Sequence, residues 1–157
     1  MKLERFHEAQ SGKWAGYATA LAEMRAGRKS SHWIWYIFPQ IDGLGRSSTA
    51  REYALHGIDE ACAYLRDPLL RQRYEEIASV VAEHLSRGAP VAELMGSGID
   101  ASKLVSSVTL FRIATACLAH DEAGSDFTRL AQLCDAILEY TTVQGLPACA
   151  FTLEKCA

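Results

Sequence analysis

The sequence predicts an all-α fold, a compact single-domain bundle of roughly five or six helices. Three observations carry that prediction. Apolar residues recur at helical spacing along three long segments. Helix-starting pairs such as Asp67-Pro68 stand where such segments begin. The stretch 101–119 is apolar nearly all round, as a helix at the centre of a bundle should be. With 157 residues, 49% of them hydrophobic, the chain can bury a substantial core and is too apolar for intrinsic disorder. One domain over 1–157 is the expectation, since no repeat, low-complexity tract or linker divides it.

The elements follow in order. Residues 3–26 read as helix, with Leu3, Phe6, Trp14, Tyr17, Leu21 and Met24 within about 80° of one another on a helical projection. Gln10 falls in the middle of that stripe, so it should be buried with its amide hydrogen-bonded to backbone or to aromatic groups. Ser11-Gly12 is placed to split the segment, with Ser11 capping its second half, and Gly27 to end it. Trp33–Phe38 has strand-like composition, but Ser30 or Ser31 can cap one helical turn there, and Pro39 stops either element. Residues 42–47 form a loop. Thr49 and Glu52 have capping-box spacing for a helix from residue 50, interrupted at His56-Gly57 and resuming over Ile58–Arg66.

Asp67 as cap and Pro68 at the first helical position open a helix that runs to Gly88. Pro90 opens a short helix over Val91–Met95. Asp100 is placed to cap the central helix at 101–119, and Ser125 to cap a last helix at about 126–140. The tail from Gly145 has only a weak pattern.

Composition excludes several classes. No apolar run reaches the ~18 residues of a membrane span, and the N-terminus lacks a signal-peptide core. The expectation is a cytoplasmic protein without a membrane partner. Five cysteines, an odd number with no CxxC pair, point to reduced, structurally independent thiols and to no zinc site. The five histidines show no paired ligand spacing, so no metal and no cofactor are expected. Neither a GxGxxG, a P-loop, an HExxH nor a GxSxG motif is present.

Charge is unevenly distributed. Residues 1–56 carry a net +3 and residues 57–157 a net −6. Arg25, Arg28, Lys29, Arg46 and Arg51 share the stretch 25–51 with Trp33, Trp35, Tyr36 and Phe38, against the single acid Asp42. Such a segment in an acidic protein can receive an anionic partner.

Three polar segments stand out. In 27–33, Arg28, Lys29, Ser30 and Ser31 can hold a phosphate or carboxylate, His32 can act as general acid or base, and Trp33 or Trp35 can form an aromatic wall. In 43–49, Arg46 and Ser47 precede a helix whose N–H groups favour anions, although a serine or threonine there can simply be the cap. In 103–109, Lys103, Ser106 and Ser107 lie on a helix that otherwise seeks burial, although the lysine can reach water and the serines can bond back to the helix.

The blocks Phe6-x-x-Ala9-Gln10, Gly27–Gln40 with its His32–Gln40 core HWIWYIFPQ, Gly43–Ser47, Glu60-Ala61-x-x-Tyr64-Leu65 and Asp100-x-x-Lys103-Leu104-x-Ser106-Ser107 resemble the signature of the bacterial domain-of-unknown-function family 1810. The resemblance covers about 3–111 and more weakly the tail. It implies a soluble, mainly α-helical protein and supplies no catalytic residues. Members sometimes carry the label calpastatin, which the hydrophobic composition here opposes, because calpastatin-type inhibitors are polar and disordered.

The residues favour a small-ligand site at which the three segments converge. Arg28, Lys29, Trp33, Arg46, Ser47, Lys103, Ser106 and Ser107 would bind a phosphorylated metabolite or nucleotide, and His32 would serve any metal-free reaction. They select no reaction. A helical protein-interaction module using the exposed side of the aromatic block is the alternative. Nucleic-acid binding is a third, weakened by a pI of about 5.9. The chain is expected to be a monomer.

Overall fold

In the computed structural model, which describes residues 3–122 and 126–157, every regular element is a helix. In chain order they are α1 (Glu4–Gln10), α2 (Tyr17–Arg25), α3 (Ile34–Ile37), α4 (Ser48–Tyr53), α5 (Gly57–Arg66), α6 (Pro68–Ser86), α7 (Val91–Leu94), α8 (Gly98–Asp121), α9 (Thr128–Val143) and α10 (Ala150–Lys155). The all-α expectation holds, but the described residues contain ten helices rather than five or six. The excess comes from short helices and from a split in the first segment.

That split has a steric cause. Residues 11–16 fold so tightly that a Cβ on Gly16 would lie 2.3 Å from the Gly12 carbonyl oxygen and 2.7 Å from that of Gln10. The turn resets the helical register. Phe6, Leu21 and Met24 stay buried, while Trp14 points into water at 90% exposure, against the expectation that placed it on the buried stripe. Gly16, not Ser11, occupies the N-cap of α2. Trp33–Phe38 takes the helical alternative as the single turn α3, and the backbone after Pro39 is tied by an isolated parallel bridge between Ile41 and Leu55.

Helix α8 is the axis of the fold. It packs on α5, α7, α9 and α10, and α6 covers α9, α2 and α5. By length and composition alone α8 could cross a membrane, a property that the search for an uninterrupted apolar run missed. Here 67% of its most apolar window is buried inside the protein, so core packing accounts for its composition. One hydrophobic cluster runs through α2 and α5 to α9. Its centre is a chain of rings in which Tyr74 and Phe111 lie 4.5 Å apart, Tyr64 and Phe111 5.2 Å, and Phe38 and Tyr74 5.5 Å.

The caps show which local signals prevailed. Asp67 accepts from the backbone of Leu69 and Leu70 with Pro68 behind it, as expected. Ser97, not Asp100, caps α8 by accepting from Asp100 N at 3.1 Å, which frees the Asp100 carboxylate for other partners. Helix α9 begins two residues after Asp126, whose carboxylate accepts from Thr128 N; the cap expected at Ser125 lies outside the described residues.

Gln10 is 3% exposed and fully engaged. Its amide nitrogen donates to Tyr36 O at 2.9 Å and to the Tyr64 hydroxyl at 3.0 Å, and its oxygen accepts from Arg73 at 3.2 Å. The side chain therefore joins α1 to α3, α5 and α6. Gln10→Leu strands all three partners and should cost roughly 1–3 kcal/mol. Urea denaturation measures this, and an unchanged midpoint would show that the three bonds add nothing.

Candidate functional site

The segment 27–33 is shaped by Glu23, in the last full turn of α2. Glu23 Oε1 accepts from Ser30 N at 2.7 Å, Ser31 N at 2.9 Å and Trp33 Nε1 at 2.9 Å, while Oε2 accepts from the Ser31 hydroxyl. Gly27, at φ 88°, supplies the left-handed turn that ends the helix and lets the chain fold back over this carboxylate. Burial alone would raise the Glu23 pKa. The bonds from the Ser31 hydroxyl, Ser30 N, the Trp33 indole and Ser31 N outweigh it and hold the carboxyl at about 2, well below its usual 4.5.

On its other side the segment docks on the start of α8. Lys29 N donates to Leu94 O at 2.8 Å. Gly96, at φ 84°, lies so close that a Cβ there would meet Lys29 O at 2.7 Å. The Lys29 side chain is 5% exposed, and its Nζ lies 2.7 Å from Asp100 Oδ2 and 5.0 Å from the centre of the Trp33 ring. Asp100 also faces a second cation. Lys103 Nζ is 3.8 Å from Asp100 Oδ1 and 4.9 Å from the centre of the Trp35 ring. Two lysines, each over an indole, therefore share one carboxylate.

A cavity of about 240 Å³ opens beside this group, lined among others by Lys29, Ser31, His32, Ser97 and Asp100. Roomier clefts exist elsewhere. The one of about 660 Å³ beside α2, α6 and α9 is lined by Arg25, Arg71, Glu75, Glu76 and Arg129. Two of its three cations face carboxylates, Arg25 with Glu76 at 4.0 Å and Arg129 with Glu75 at 3.7 Å, and Arg71 lies over the Phe127 ring, 5.3 Å from its centre.

The structure brings two of the three polar segments together. Lys29, His32 and Lys103 gather around Asp100, and Arg28 is an exposed neighbour in the same turn. Trp33 is fully buried and offers no ring face to a ligand; Trp35, half-buried, stands under Lys103 instead. Of the predicted residues only Lys29 and His32 line the cavity, with Ser30 and Ser31 between them; Arg28, Trp35, Lys103 and the others do not. Ser47 caps α4 by accepting from Ala50 N at 3.1 Å, with Arg46 exposed beside it. The loop before them faces α10, where Lys155 reaches the Asp42 carboxylate at 2.8 Å. Ser106 donates back to Ser102 O, and Ser107 pairs with the Tyr74 hydroxyl at 2.9 Å in the core. The aromatic block turns Trp33, Ile34, Ile37 and Phe38 inward, leaving Trp35 and Tyr36 partly accessible.

Sequence reasoning missed Glu23 and misread Asp100. The i,i+3 spacing of Asp100 and Lys103 was a usable signal for the second. A carboxylate near the negative end of α2, where the helix dipole disfavours it, was one for the first.

Residues 1–144 match the family described as "Protein of unknown function (DUF1810)". The chain belongs to this family. A crystal structure of a conserved hypothetical protein from Mycobacterium tuberculosis, determined at 1.38 Å, is similar throughout. It is 34% identical with a TM-score of 0.79, over 98% of this chain and 95% of that one. No curated protein matches the chain. The DUF1810 match ends before α10, whereas the likeness to the mycobacterial structure covers nearly the whole fold.

Glu23→Gln removes the charge that collects four donors and should cost roughly 1–3 kcal/mol after solvent screening of this half-buried group. Folding lowers this pKa, so the contribution is complete above about pH 4.5 and is lost as the pH falls toward 2. Urea midpoints of the wild type and Glu23→Gln should differ most at neutral pH and converge toward pH 2. A difference that stays constant across that range would contradict the clamp.

Proposed function

We propose that this DUF1810 protein binds a small anionic ligand, a phosphorylated metabolite or nucleotide, where Lys103 and Trp35 border the Lys29–Asp100 pair. The observation that carries the reading is the unequal charge count around Asp100, two ammonium groups to one carboxylate. Lys29 spends its donors on Asp100 and Ser31 O and is sealed from water. Lys103 is held less closely, at 3.8 Å, and its side chain is 26% exposed, so it is the cation with donors to offer. An anion arriving there supplies the missing negative charge in a partly dry setting, where charge-assisted hydrogen bonds are strong.

The other parts fit that ligand class. The half-buried Trp35 indole gives a flat apolar wall for a base or sugar ring. Ser31 and Ser97 carry hydroxyls at the cavity wall, and exposed Arg28 adds positive potential at short range. His32 lines the cavity and is exposed, the position for a general acid or base if the bound ligand reacts.

The test is a thermal-shift titration with inorganic phosphate, a sugar phosphate and adenosine monophosphate, since binding to the native state raises its apparent stability. At least one of the two organic phosphates should give a saturable rise in Tm that Lys103→Met abolishes and Arg129→Met, in the larger cleft, leaves intact. No rise with any probe, or a rise that survives Lys103→Met, would contradict this site.

A further inference from the structure

Among the described residues Trp14 is the most exposed large hydrophobic side chain, yet the backbone that carries it is held. Thr19 Oγ1 donates to Trp14 O at 3.0 Å, and the Tyr36 hydroxyl donates to Ala15 O at 2.6 Å. Gly16 follows, at a point where no Cβ fits. A fixed turn, not a loose tip, therefore holds the indole in water. A single apolar side chain on a surface needs no explanation. Trp14 is not single.

The Tyr36 hydroxyl shares its proton with His32 O at 3.3 Å, so one phenol joins the turn of Trp14 to the edge of the Asp100 cavity. His32 lines that cavity with Asp100, Asp100 faces Lys103, and Lys103 lies over Trp35. Tyr36 and Trp35 are both half-buried and keep part of their rings accessible. These contacts gather three rings, Trp14, Tyr36 and Trp35, around the corner at His32. Exposed Lys13 stands next to Trp14, and Lys103 stands over Trp35.

The charge beside these rings is positive. The two carboxylates that meet the 27–33 segment are spent inside the fold, Glu23 on the donors of Ser30, Ser31 and Trp33, and Asp100 on Lys29. On α1, Glu4 and Glu8 line a different cleft, beside Asp67. Lys13 and Arg28 are exposed, and Lys103 keeps part of its side chain in water. Aromatic faces interleaved with cations suit unpaired bases and the phosphates that link them. A duplex hides its base faces in its own stack, so the fitting partner is single-stranded. An acidic peptide would meet the cations and leave the rings without a flat partner.

We propose that the anion site at Lys103 is one end of a surface for single-stranded nucleic acid that runs past His32 to Trp14. A base stacks on the Trp14 indole, and Lys13, Arg28 and Lys103 meet phosphates. This rests on the anion site proposed above and names its ligand as a nucleotide within a chain. The net charge of −3 belongs to the whole protein, whereas residues 1–56, which supply every member of the surface except Lys103, carry +3.

The test is calorimetric titration of the full chain with adenosine monophosphate and with short oligoadenylates of about six nucleotides, one of DNA and one of RNA. At least one oligomer should bind about tenfold tighter than the monophosphate, and the tighter of the two names the sugar. Trp14→Ala should weaken oligomer binding about tenfold, the loss of one stacked base, and leave the monophosphate unchanged. Oligomers that bind no tighter than the monophosphate, or equally well after Trp14→Ala, would overturn the proposal, while monophosphate binding that Lys103→Met abolishes would still uphold the anion site. No binding by the monophosphate or either oligomer would also overturn it, and the sugar-phosphate titration then decides the anion site by itself. A short polyglutamate peptide that binds as tightly as the oligomers would assign the surface to an acidic polypeptide and overturn the proposal as well.

Discussion

A lysine ammonium sealed from water is costly unless a carboxylate meets it, and in this protein the meeting of Lys29 with Asp100 decides how the first third of the chain lies on the rest. The pair joins the turn after α2 to the first turn of α8, the axis of the fold. Around it, Lys29 N bonds to Leu94 O, and Gly96 allows the two backbones to approach. Behind it, the Trp33 ring lies under the ammonium while its indole N–H reaches the Glu23 carboxylate. Glu23 shapes the turn from one side and Asp100 anchors it from the other. Removing Glu23 leaves the buried Trp33 indole N–H without its acceptor, and removing Asp100 leaves the buried Lys29 ammonium without its counter-charge.

The same pair sets the chemistry of the cavity. Asp100 is committed to Lys29 at 2.7 Å and reaches Lys103 only at 3.8 Å, so the fold uses one lysine structurally and leaves the next cation on α8 at the surface. Asp100, committed to the fold, and Lys103, which the proposed reading gives to the ligand, thus sit a single helical turn apart. The neighbouring stretch of α8 keeps its serines for the fold, with Ser107 turned into the core against Tyr74 and Ser106 donating back to Ser102 O.

Much of the fold was legible because it is written in local periodicity. The apolar spacing of α6 and α9, the near-continuous apolar surface of α8 and the Asp67-Pro68 start all depend on residues within a few turns of one another. Gln10 was legible too, since an amide centred on an apolar stripe must find partners. Trp14 was not, because a helical projection cannot see the tight turn at Gly16 that resets the register. The site was half legible. The residue types in 27–33 and 100–107 pointed to a charged cluster, but the decision between cap and ion pair at Asp100 was made by Lys29, far away in the chain. At Ser47 the local role prevailed, and the hydroxyl went to capping α4. Tertiary proximity, not composition, separated these outcomes.

The most direct measurement of this account is a double-mutant cycle on the pair, with Lys29→Met, Asp100→Asn and the double variant compared by urea denaturation at neutral pH. Asp100→Asn leaves the buried Lys29 ammonium without its carboxylate and should cost about 3–5 kcal/mol, Lys29→Met leaves the partly exposed Asp100 facing Lys103 and should cost less, and the double variant should cost clearly less than the two together, a coupling above about 1 kcal/mol. Single costs that simply add, to within about 0.5 kcal/mol, would show that Lys29 and Asp100 act separately and that the pair does not hold this part of the fold in place.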